Sequence, residues 1–68
     1  MVNTTELKIE MMRAGKSQRV LSKETNISIN ALNRKINGKV PFDCDEVNAV
    51  CCSLSIVDPV RKCQIFLA

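Results

Sequence analysis

An all-α domain of five short helices is what this 68-residue chain predicts. Three observations carry the prediction. Apolar residues recur at spacings of three and four, as in Leu7/Met11/Ala14, Ile29/Leu32/Ile36 and Val47/Val50/Cys51/Leu54, the period of a helix stripe. Helix-start residues precede these stripes: Ser17, Ser28, Asp43 with Glu46, and Asp58 with Pro59. Chain breakers follow them, at Gly15, Asn26, Asn37-Gly38 and Pro41. The helices are expected over 4–14, 17–25, 28–37, 43–54 and 58–66, in a single domain with one small core.

Taken in order, Met1 to Asn3 is expected to be a loose tail, with Asn3 or the Thr4/Thr5 hydroxyls capping the first helix. Leu7, Met11 and Ala14 form its inner stripe, flanked by Ile9 and Met12, and Gly15 ends it. Ser17 caps the second helix, whose apolar contacts are Val20 and Leu21; Ser22 is small enough for a close helix approach. Asn26, the non-glycine type best able to turn left-handed, marks the turn before Ser28. Lys39-Val40-Pro41-Phe42 is an extended crossing, because proline forces its predecessor out of helical geometry. Asp43 and Glu46 resemble a capping box, and Phe42 and Val47 have the spacing of a hydrophobic staple. In the last helix Val60, Cys63 and Phe66 or Leu67 are expected inside. Ile65-Phe66-Leu67 cannot all face one small core, so part of that surface is expected to be either frayed or covered by a second subunit.

Charge is segregated. The net charge is +3, yet residues 13 to 39 hold seven basic residues and one acid, Glu24, a local balance of +6. The remainder holds three basic and six acidic residues, a balance of −3. Such concentration is what a polyanion-binding surface requires. Asn30, Asn33, Arg34 and Asn37 share one helical face at i, i+3, i+4 and i+7. A solvated helix face usually mixes Glu with Lys. This one carries no acid, and its residue types read base edges or phosphates.

The stretch Gly15-Lys16-Ser17-Gln18, Ser22, Asn26, Ile27-Ser28 resembles the helix-turn-helix of the phage Cro and repressor superfamily. Lys35-Ile36-Asn37-Gly38-Lys39-Val40-Pro41-Phe42 resembles, more narrowly, small regulators encoded in prophages of Gram-positive bacteria. The likeness covers about residues 5 to 57, with departures at Lys16, Thr25, Asn26 and Lys35. It implies a compact lambda-repressor-like domain acting as a transcription regulator that binds an operator in double-stranded DNA, as a homodimer. On that likeness Ile29, Asn30, Asn33 and Arg34 are the base contacts. Ser17, Gln18, Arg19, Ser28, Asn37 and Lys39 are the phosphate contacts, and Lys23 and Lys35 are further candidates; five or six phosphates in all are expected to be neutralised. The alternative on the same scaffold is an antirepressor that captures the cognate phage repressor protein.

Enzymatic chemistry is not expected: the chain has no histidine, no nucleophile with a base and no phosphate-binding glycine loop. Neither metal nor other cofactor is expected. Cys44, Cys51, Cys52 and Cys63 include no C-x-x-C pair and read as small buried or half-buried hydrophobes. No segment has the length and apolarity to span a membrane, and no signal-peptide pattern opens the chain, so a cytoplasmic location in a bacterial host is expected.

Overall fold

The computed structural model describes residues 2–67. Five helices follow one another: α1 Thr4–Ala14, α2 Gln18–Thr25, α3 Ile29–Ile36, α4 Cys44–Ser53 and α5 Pro59–Phe66, with no strand among the described residues. The second to fifth helices each start one residue later than the sequence boundaries. Ser17, Ser28, Asp43 and Asp58 stand outside their helices as caps, their side chains accepting from the backbone N–H groups of Val20, Ala31, Glu46 and Val60. Asn3 caps α1, accepting from Glu6 N–H; the Thr4 hydroxyl instead donates to the Ile36 carbonyl and ties α1 to the end of α3. The Asp43–Glu46 capping box is complete in both directions.

A left-handed residue follows each of the first four helices: Gly15, Asn26, Gly38 and Ser55. Behind Gly15, Gly38 and Ser55 the next N–H reaches back to the carbonyl five residues earlier, Lys16 to Met11, Lys39 to Arg34 and Ile56 to Cys51. Those bonds fold the chain back sharply and let eight- to eleven-residue helices fill an envelope of 27 × 23 × 21 Å.

The core is one cluster: Leu7, Met11, Leu21, Ile27, Leu32, Ile36, Val50, Cys51, Leu54, Ile56, Ile65 and Phe66. Helix α2 packs on α3 and α4, and α1 on α3 and α5. Several expectations need correction. Ala14 and Val20 are exposed; α1 buries Leu7 and Met11, and on α2 only Leu21 is buried. Val60 and Cys63 are exposed, while Ile65 and Phe66 are buried. Arg61, one turn before Ile65, lies against α1, donating to Glu6 (3.1 Å) and Glu10 (2.7 Å), while Ile65 enters the core and Phe66 meets Phe42 edge-on with ring centroids 5.4 Å apart. Of the C-terminal apolar triplet only Leu67 remains exposed, so Ile65 and Phe66 are not available to a second subunit.

The tail is not loose either. Val2 packs against the core and Asn3 N–H donates to the Ile65 carbonyl; Met1 lies outside the described residues. Among the cysteines only Cys51 is buried, and burial pushes its thiol above the usual range; Cys44, Cys52 and Cys63 are exposed free thiols.

Candidate nucleic-acid interface

Helix α3 presents two unlike faces. Leu32 and Ile36 are fully buried, with Ala31 and Lys35 half-buried beside them. Asn30, Asn33, Arg34 and Asn37 lie on the opposite side, all exposed, within about 100° of arc at 100° per residue. Ile29, 44% exposed, sits at the edge of that face instead of completing the apolar stripe. Arg34 and Asn30 flank a shallow cleft of ≈ 360 Å³ that Val40 closes. The face stands clear because α3 enters and leaves it through short turns: Asn26 at φ 59° on one side, Gly38 at φ 77° on the other.

Helix α2 meets the same surface at its start. Gln18, its first residue, accepts from Asn33 Nδ2 at 3.1 Å through Oε1. Asn37 folds back on α3, its Nδ2 donating to the Asn33 carbonyl at 2.8 Å and lying 3.3 Å from Asn33 Oδ1. Sequence reasoning placed Gln18, Asn33 and Asn37 separately, and their linkage was not legible. Gln18 and Asn33 are fifteen residues apart, a separation with no helical meaning.

The cations divide into two groups. Arg13 pairs with Glu10 at 3.3 Å, Lys16 with Glu24 at 2.6 Å, and Lys35 with Glu46. Lys16 also donates to the Ser53 carbonyl and Ser53 Oγ to Glu24, fastening the α1–α2 turn to α4. The Lys16 ammonium, then the Ser53 hydroxyl, hold the Glu24 carboxyl below the usual range. Glu46 is lowered first by the Asp43 backbone N–H and next by Lys35. Thr25 and Lys35 depart from the resembled pattern, and each finds a polar partner. The Thr25 hydroxyl donates to the Leu21 carbonyl, and Lys35 spans to α4. Lys35 is therefore an internal strut. Of the cations in residues 13 to 39, Arg19, Lys23, Arg34 and Lys39 make no ion pair among the described residues, and neither do Lys8 and Lys62 outside that stretch.

The described residues contain no group of three or more His, Cys, Asp or Glu side chains arranged to hold a metal ion. No helix among them is long and apolar enough to cross a membrane. No protein-family model, curated protein or solved structure matches the chain.

Proposed function

We propose that the chain is a sequence-specific DNA-binding transcription regulator built on a lambda-repressor-like helix-turn-helix, with α2 and α3 as its two helices. The observation that supports this most is the unpaired charge. Three cations of the 13–39 region are engaged within the molecule, while the remaining four lie on α2, on α3 and just beyond it, and the outer face of α3 is acid-free and amide-rich. In this reading α3 enters the major groove. Arg34 grips a guanine edge, Asn30 reads an adenine, and Ile29 touches a thymine methyl at the rim. Gln18, Arg19 and Lys39 take phosphates, helped by the hydroxyls of Ser17 and Ser28 at the starts of the two helices. The regulator works in the host cytoplasm on a two-fold operator as a homodimer, for whose interface the C-terminal triplet leaves Leu67.

The test is a selection from randomised duplex DNA followed by binding isotherms at several salt concentrations. The expected result is an enriched base sequence and a log–log salt slope of about −2.7, from about 0.9 per phosphate and the three free cations not assigned to a base, Arg19, Lys23 and Lys39. That is shallower than five or six contacts would give. Failure to bind any duplex at low salt would remove the DNA reading and leave capture of a repressor protein in its place.

A further inference from the structure

The side chains of Gln18, Asn33 and Asn37 form a chain of hydrogen bonds whose direction is set by its anchor. Asn37 Nδ2 donates to the backbone carbonyl of Asn33 at 2.8 Å. A carbonyl only accepts, so the NH2 end of Asn37 must be the end turned toward α3. The same Nδ2 lies 3.3 Å from the Asn33 amide, which can answer a donor only with its oxygen. Asn33 therefore turns its own Nδ2 the other way, toward Gln18, where it meets Oε1 at 3.1 Å. One carbonyl thus orients three amides, and the chain ends on Gln18 Nε2. Its two N–H groups have no partner among the described residues.

We infer that Asn33 is a positioning residue and not a base reader: it holds the Gln18 amide with both Nε2 donors outward, matched to a ligand that only accepts, the phosphodiester oxygens of a DNA backbone. Reading adenine takes the oxygen and the NH2 of one amide together, and each of those two ends of Asn33 already carries one hydrogen bond within the chain, to Asn37 and to Gln18, that a base would have to share or displace. A phosphate carries acceptors alone, as does a guanine edge, and Gln18 stands on α2, outside the helix read as entering the groove, so the backbone phosphate is the acceptor its donor end suits. The inference rests on the DNA-binding reading and narrows it, since sequence information on α3 then falls to Asn30, Arg34 and Ile29.

The experiment compares the full chain with Gln18→Ala, Asn33→Ala, Asn37→Ala and the doubles Gln18→Ala/Asn33→Ala and Gln18→Ala/Asn37→Ala. The probe is a mixed-sequence duplex at low salt, and each protein is also carried through a randomised-duplex selection. Each single change should weaken duplex binding by about five-fold, the worth of one ordinary hydrogen bond. Each double should bind no worse than Gln18→Ala, because Asn33 and Asn37 act through it. The salt slope should not move, since no charge changes, and the thermal midpoint of Asn33→Ala should match the parent, since that side chain is exposed. The selected base sequence should be the same with and without Asn33. Losses that multiply in the doubles, or a base preference that relaxes at one position in Asn33→Ala, would overturn the inference while leaving DNA binding intact. A parent chain that binds no duplex would overturn the functional reading and the phosphate assignment together.

Discussion

Two arginines on two faces carry the same guanidinium to different ends. Arg61, on α5, is 21% exposed and donates to Glu6 and Glu10, so its proton is held above the ordinary range, by Glu6 first and Glu10 next. Arg34, on α3, is exposed and meets no carboxylate among the described residues. Between α1 and α5, Arg61 is closed by two carboxylates across the helix pair. On α2 and α3 pairing is only partial, and the charges left over are all positive. A cation enclosed by its own chain is part of the scaffold; one left open among amides is available to an anion from outside. Sequence charge counts treat the two alike, and only partnering separates them.

The largest expected effect tests the scaffold side. Phe66 is buried against Phe42, so Phe66→Glu removes a core aromatic and places a carboxylate in its site. Phe→Ala alone costs about 3–5 kcal/mol in a core, and a domain of this size has about 3–10 kcal/mol to lose. Circular dichroism should show an unfolded chain. A folded monomer would mean that α5 is an interface element and that the division between the two faces is drawn in the wrong place.

Next in size is the pair of arginines itself. Arg34→Ala should cost about 1–3 kcal/mol on the selected duplex and far less on a scrambled one, with an unchanged thermal midpoint. Arg61→Ala should do the reverse, lowering the midpoint by uncovering two neighbouring carboxylates and leaving duplex affinity nearly where it was. Equal losses of Arg34→Ala on both duplexes would make it a phosphate contact, and a fall in its midpoint would make it part of the scaffold.

How much of this was legible in the sequence follows from the range of each interaction. Local signals were read well: Ser17, Ser28, Asp43 and Asp58 as caps, Gly15, Asn26 and Gly38 as left-handed stops, Leu32 and Ile36 as the inward side of α3. Misreadings fell where a distant partner decides orientation. Arg61 pairs with Glu10 across 51 positions on the side of α5 that packs on α1, which no local periodicity in 58–66 reveals. Lys35 reads as a surface cation in sequence, but Glu46, eleven residues on, engages it. The amide chain from Asn37 to Gln18 depends on the angle between α2 and α3 and has no sequence signature.

Two smaller effects sharpen the scaffold side. Ser55 holds φ 58°, a conformation an L-residue adopts at a cost of about 1–2 kcal/mol, partly offset by glycine's greater freedom when unfolded. Ser55→Gly should therefore stabilise by about 0.5–1 kcal/mol in urea unfolding, and Asn26→Gly by less, since Asn tolerates this region better. Acid provides the other. Glu24 and Glu46 are lowered in the folded chain from an ordinary value of 4.5, so their contribution is complete above about pH 4.5 and is lost as pH falls through the depressed folded values. The thermal midpoint should hold steady from neutrality down to that point and then fall. Glu46→Gln should start lower at neutral pH and fall less steeply in acid. A midpoint that rises in acid would refute both assignments.

The smallest effect bears most directly on the division of charge, and it uses two lysines four residues apart. Lys39 follows the left-handed Gly38, is exposed, and makes no ion pair among the described residues. Lys35 is 14% exposed and bound to Glu46, itself engaged with the Asp43 N–H at the start of α4. A cation that releases counterions from DNA must be free to sit at a phosphate, so Lys39→Ala should make the salt slope shallower by about one, on operator and scrambled duplex alike. Lys35→Ala should leave the slope unchanged and lower the thermal midpoint, because what it loses is a strut between α3 and α4. The measurement is four salt titrations, two variants on two duplexes, with a melting curve for each protein. If Lys35→Ala changes the slope as much as Lys39→Ala, the Glu46 pair opens when DNA arrives. If neither changes it, the positive charge of this region has some use other than a duplex.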